Sequence, residues 1–170
     1  MEVIHERIMQ LNIVDKEEQP IDLRERVAGG HILPGDTLII DGTEWLVLDS
    51  APGEALIWQR TNVRRKTEFE KRNMGVLLDE YYEIKRYTDA FFLLTEEQAR
   101  TYLPTNRERV AYDGRGTPTN YWLGDKIDEE GCAKFTSTDG SIYRQTPGQD
   151  LPEYDHGIAP ACWLRADSNK

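Results

Sequence analysis

The chain has 170 residues, 38% of them hydrophobic, and 31 acidic against 21 basic side chains give a formal charge of −10. That length favours one domain. No apolar run approaches the roughly 20 residues of a membrane-spanning helix, and the acidic balance disfavours direct nucleic-acid binding, which relies on clustered Lys and Arg.

The N-terminus MEVIHERIMQ mixes acids, bases and apolar residues, without the basic start and continuous apolar run of a secretory leader, so a cytoplasmic protein is expected. Residues 1–33 read as an N-terminal extension, partly helical. In VIHERIMQLNIV the residues Val3, Ile4, Ile8 and Leu11, with Met9, fall loosely on one helical face; the alternative is a helix followed by a short strand, LNIV. DKEEQP is a polar break, and AGGHILPG is rich in turn formers. This extension either caps the domain or binds a partner.

Residues 34–166 read as the domain. GDTLIIDGTEWLVLDSAPGEALIWQR is a three-stranded meander, with turns at Asp41-Gly42 and Pro52-Gly53. TNVRRKTEFEKRN is a charged connection. Its basic cluster of Arg60, Arg64, Arg65 and Lys66 offers an anion site, but the acids that follow make a solvated face the plainer reading. MGVLLDEYYEIKRY reads as a helix or an irregular packed segment, and FFLL as a buried extended run. Thr95 and Gln98 then form a Thr-x-x-Gln capping box opening a helix from Glu96 to Tyr102, with Ala99 and Leu103 turned inward and Pro104 ending it.

PTNRERVAYDGRGTPTN is loop-rich, YWLGD is a short aromatic strand, and DKIDEEG is an acidic turn. CAKFTSTDGSIYRQT is a hairpin around Asp139-Gly140. PGQDLPEYDHG is a long loop, IAPACWLRA is the closing strand, and residues 167–170 are a frayed tail. Pro160 lacks a backbone donor, which points to an edge position or a bulge.

The order GDTLIIDGTEWLVLD…ALIW, FFLLTEEQARTYL, YWLG, TDGSIY and HGIAPACWL resembles a bacterial and phage domain family of unknown function. That family is similar to C-type-lectin-like folds, including the formylglycine-generating enzyme group. The resemblance covers roughly residues 34–165 and rests on five short motifs in sequence. It implies an α+β fold: a C-type-lectin-like irregular antiparallel sheet, one or two short helices and long C-terminal loops, with an early strand beside the last one. The chain departs from the family in the charged tract after ALIW, at Gly124-Asp125 in place of Arg-Ser, and at Ala159 in place of Arg.

Candidate sites divide by chemistry. The resemblance to formylglycine-generating enzymes implies a close pair of copper-binding thiolates. Cys132 and Cys162 lie in separate proposed strands without that local spacing, and no basic residue or helix start is set to lower either pKa. A buried structural cysteine is the plainer reading for Cys162. Hydrolytic use of Cys162 with His156 lacks an orienting partner, although Asp155 is adjacent in sequence. Two cysteines with no CxxC and three scattered histidines, His5, His31 and His156, are too few for a structural zinc site. Asp125, Asp128, Glu129 and Glu130 do not follow a calcium-loop pattern and read as a solvated turn. Trp45, Trp58, Trp122 and Trp163 read as core.

What remains is a recognition face. In a lectin-like fold it would lie on the long loops and the C-terminal sheet, and here it would use Tyr112, Arg115, Asn120, Tyr143 and Arg144. Tyrosine with Asn and Arg combines an apolar face with polar reach. The expected function is therefore a non-catalytic binding module for a protein or glycan partner, with no cofactor and no metal. The alternative is an acidic phage-type inhibitor, a nucleic-acid mimic blocking a nucleic-acid-handling protein. A weaker alternative is a copper or thiol oxidase of the formylglycine-generating type.

Overall fold

The computed structural model describes residues 8–10, 27–40, 42–66, 84–88, 90–126, 128–145 and 156–166. Most of the expected helix or packed segment at 74–87 and most of the loop at 147–157 lie outside them; the end of the former, Ile84–Arg86, is a single 3-10 turn, with Ile84 and Tyr87 buried. Among the described residues the architecture is α+β and sheet-rich, with mostly antiparallel pairing.

Strand β1 (Ile8–Gln10) runs parallel to β2 (Thr37–Ile40), in register Ile8 to Thr37. These three residues are extended where the apolar spacing suggested helix: the open backbone of β2 offers hydrogen bonds that local spacing does not reveal. Val27 and Ile32 are buried in the core, so the packed unit begins before residue 34.

The meander is as expected. β2 pairs antiparallel with β3 (Thr43–Ala51), and β3 with β4 (Glu54–Gln59), with a bulge between Val47 and Asp49. The closing strand β13 (Pro160–Arg165) lies between β4 and β6 (Phe92–Leu93), giving the six-stranded order β1-β2-β3-β4-β13-β6. It is therefore an interior strand, and the early strand beside it is the third of the meander. Pro160 is tolerated because it is the first residue of the strand, where a missing donor breaks least of the ladder.

Both faces of this sheet are covered. Ala55, Ile57, Cys162 and Leu164 pack into one cluster with Trp45 and Val47, while Leu56, Trp58 and Ala161 pack into another with Leu94, Ala99 and Leu103. Two-sided burial explains why ALIW and ACWL read as continuous apolar runs rather than alternating ones. Each large side chain so buried contributes about 1.5–3 kcal/mol.

Helix α1 (Glu96–Tyr102) starts with the expected capping box. Thr95 Oγ1 accepts from Gln98 N–H at 3.2 Å, and Gln98 Oε1 accepts from Thr95 N–H at 3.0 Å. Ala99 and Leu103 are buried beneath it.

A small hairpin of β7 (Ala111–Tyr112) and β8 (Pro118–Thr119) follows. A five-stranded sheet then forms from β9 (Tyr121–Trp122), β10 (Ala133–Thr136), β11 (Ile142–Gln145) and β12 (His156–Ile158), with β5 (Arg64–Lys66) at its far side. Its order is β11-β10-β9-β12-β5. The chain passes from this sheet to the first one across Ala159, between β12 and β13.

Arg109 ties these parts together. Only 2% exposed, it donates from Nη1 to Leu103 O at 2.6 Å and from Nε to Gly140 O at 2.9 Å, and it also bonds the Asn106 amide oxygen. The Tyr121 hydroxyl donates to Arg109 O at 2.6 Å. The β10–β11 turn is thereby held against the C-terminal end of α1. The approach is close at Gly140, where a Cβ would come within 1.7 Å of Asn106 O and φ is +86°.

Two substitutions test this junction by urea denaturation. Gly140→Ala combines the backbone collision with an unfavourable φ and is expected to lose at least about 2 kcal/mol. Arg109→Met keeps the stem but leaves two buried carbonyls without donors, for an expected loss of about 3 kcal/mol.

Candidate functional site

The β10–β11 hairpin sets the geometry of the candidate site. Its register pairs Ala133 with Gln145 and Phe135 with Tyr143 on one face, and Lys134 with Arg144 and Thr136 with Ile142 on the other. The first face carries an aromatic stack. Tyr143 packs on Phe135 with centroids 5.9 Å apart, Phe135 stacks on His156 at 4.1 Å, and Trp122 meets His156 edge-on at 4.4 Å. His156 Nε2 lies 2.6 Å from Gln145 Oε1, a hydrogen bond across the sheet. Leu93, Ala133 and Ile158 close the cluster from below. Tyr143, at its outer end, is 51% exposed.

The opposite face is ionic. Lys134 and Arg144 face each other across the strands, and each is paired with its own carboxylates. Lys134 Nζ reaches Glu96 Oε1 at 2.8 Å and Asp125 Oδ2 at 3.7 Å. Arg144 Nη2 reaches Asp128 Oδ2 at 2.6 Å and Glu130 Oε2 at 3.4 Å. Asp125 Oδ1 also accepts the Glu96 N–H at 2.7 Å, fastening the acidic loop to the start of α1. Lys134 and Arg100 hold the Glu96 carboxyl below its usual range. The Asp128 carboxyl is likewise held low, first by the Cys132 N–H at 2.9 Å and then by Arg144.

The five residues expected to form one recognition face fall into separate places. Tyr143 and Arg144 are neighbours on β11, with side chains on opposite faces. Asn120 precedes β9, and its carbonyl accepts the Gly157 N–H at 2.8 Å. Tyr112 is half-buried on β7; its N–H donates to Arg60 O at 2.8 Å and its carbonyl accepts from Val63 at 3.0 Å. Arg115 is exposed in the turn before β8, where Asp113 Oδ1 accepts its N–H at 2.8 Å. No described contact joins Tyr112 or Arg115 to Tyr143 or Arg144. The support beneath Tyr143 comes from Phe135, His156 and Gln145, and its one sequence signal is the alternation of AKFT against IYRQ.

The two cysteines are free and buried. Cys162 lies in β13, and burial pushes its thiol pKa well up, with Thr88 opposing as a hydrogen-bond partner. Cys132 directly precedes β10, in the other sheet. Among the described residues no group of three or more His, Cys, Asp and Glu is arranged to hold a metal ion, and no helix is long and apolar enough to cross a membrane. A cleft lined by Pro52, Gly53, Glu54, Arg165 and Ala166 is bridged by Glu54 and Arg165 at 3.7 Å. No family model, curated protein or solved structure matches the chain.

The order of causes at Asp128 is testable by NMR titration. Arg144→Gln is expected to raise the Asp128 pKa while leaving it below that of a free aspartate, because the Cys132 N–H remains. The sign follows from a depressed folded-state pKa: the stabilisation from Asp128 is present above the unfolded carboxylate pKa and is lost as pH falls through the folded one. An Asp128 pKa unmoved by Arg144→Gln would show that the ion pair plays no part.

Proposed function

We propose that the chain is a binding module for a protein or glycan partner, and that its recognition surface is the outer end of the C-terminal sheet, centred on Tyr143. The observation that carries this reading is a half-exposed tyrosine on a packed aromatic support: Tyr143 tilted against the half-buried Phe135, and Phe135 stacked on the buried His156. An aromatic side chain already held in place loses little conformational freedom on binding, which favours it as an anchor. Arg144 and the Asp128–Glu130 loop supply a charged border. The C-type-lectin-like resemblance supports the same reading, since in that fold recognition is expected on the C-terminal loops and sheet. Function argued from fold alone is weak, so the reading rests on the site.

A second reading, an acidic inhibitor of a nucleic-acid-handling protein, is favoured by the formal charge of −10 and by the exposed run Asp128, Glu129 and Glu130. It differs in expecting capture that weakens steeply with salt.

The test is affinity capture from the native host with the wild-type chain and with Tyr143→Ala. The variant is expected to keep its circular dichroism and melting temperature while partner recovery falls at least about tenfold, the size of effect expected for an interface anchor. Equal recovery by the two proteins would place the recognition surface elsewhere.

A further inference from the structure

Strand β11 is an outer strand of its sheet among the described residues, and the phase of its hydrogen bonding is fixed. Ser137 N–H donates to Ser141 O at 2.8 Å at the base of the turn. Antiparallel ladders alternate bonded and non-bonded pairs, so Phe135–Tyr143 is bonded and the pairs Thr136–Ile142 and Lys134–Arg144 are not. The Lys134 carbonyl confirms this phase by accepting from Leu123 N–H at 3.0 Å, on the side away from β11. The backbone N–H and C=O of Ile142 and Arg144 therefore point outward from the sheet edge.

The two faces at this edge differ in chemistry. Tyr143 and Phe135 make one aromatic. The other holds Arg144, whose charge is balanced by Asp128 and Glu130, with Glu129 exposed beside them. Over residues 125–144 five carboxylates, of Asp125, Asp128, Glu129, Glu130 and Asp139, stand against three cations, Lys126, Lys134 and Arg144. An added strand would place alternate side chains on these two faces.

We propose that the β11 edge accepts an extended segment of a partner protein in which basic and apolar side chains alternate. The segment pairs backbone to backbone with Ile142 and Arg144, sets its apolar side chains beside Tyr143, and sets its basic ones beside the Asp128–Glu130 loop. This rests on the reading of the chain as a binding module and narrows its partner from protein or glycan to an extended basic peptide. Strand addition of this kind takes its affinity from main-chain bonds and its specificity from alternate side chains.

The probe is an end-capped peptide of about eight residues, long enough for an ordinary strand, with alternating Lys and Val. Its binding to the full chain is read by fluorescence anisotropy. Two forms carry N-methyl groups, one on every Lys and the other on every Val. Only one alternate set of peptide N–H groups can face β11, so one form is expected to lose about tenfold or more in affinity and the other to stay within about threefold. A Glu–Val peptide is expected not to bind.

Arg144→Pro removes an outward-facing donor without touching the ladder to β10. It is expected to bind the probe about tenfold more weakly than Arg144→Ala, which keeps that donor. If Arg144→Pro fails to fold, the methylated peptides on the wild-type chain decide. Equal losses from the two methylated forms, equal binding of the Glu–Val peptide, or no binding of the Lys–Val probe would each overturn the proposal. If the probe fails while Tyr143→Ala still loses its captured partner, the recognition surface stands and the edge pairing falls.

Discussion

A buried guanidinium governs where the candidate site sits. Among the described residues Arg109 bonds no carboxylate: its acceptors are the Leu103 and Gly140 carbonyls and the Asn106 amide oxygen. Removing a permanent charge from water is expensive unless its donors are satisfied, and here neutral oxygens satisfy them. One acceptor, Leu103 O, is the C-cap carbonyl of α1, where the helix dipole also favours a cation. The bond to Gly140 then fixes the β10–β11 turn relative to that helix, and the Tyr121 hydroxyl on Arg109 O adds β9. Tyr143 follows the turn by three residues. Its position is thus set by a buried cation, through the turn that this cation holds.

The second constraint is the passage between sheets at Ala159. β12 pairs with β5 and β9, and two residues after its end the chain is inside the other sheet, between β4 and β6. Pro160 suits this place because its fixed φ and missing donor interrupt neither ladder in mid-strand. Ala159 and Ala161 are buried there beside Trp58 and Tyr121, so the switch is packed as well as bonded. Through it His156 on β12 and Trp163 on β13 belong to one continuous segment. The aromatic stack under Tyr143 is therefore coupled to the main core by six residues of chain.

Features whose cause is local were legible in the sequence. The meander, the Thr95–Gln98 capping box and the Asp139-Gly140 hairpin each depend on residues within a few positions of one another, and each stands as expected. Pairings between distant segments were not. Nothing near Ile8 announces a parallel partner at Thr37, and nothing near Cys162 announces Ile57. Arg109 sits in RER, a charged triplet that reads as surface; its burial depends on three acceptors, two of them supplied by Leu103 and Gly140. The site follows the same division. Tyr143 and Arg144 were visible because the hairpin was, but grouping them with Tyr112 and Arg115 required knowing that β7 and β8 form a separate hairpin, anchored by Arg60 and Val63.

An outer strand is a hazard unless its pairing is restricted. β11 is four residues long, too short to template a large sheet, and it carries Arg144 at an outward-facing backbone position. Arg144 is fastened to Asp128 and Glu130, so that cation is held to one face while Tyr143 occupies the other. A strand of uniform character would meet a mismatch on one face or the other. The chain's formal charge of −10 further disfavours indiscriminate association between copies. The features that limit uncontrolled pairing are thus the same ones that would select among partners: length limits affinity, the two unlike faces demand alternation, and the acidic border sets the sign of the charge.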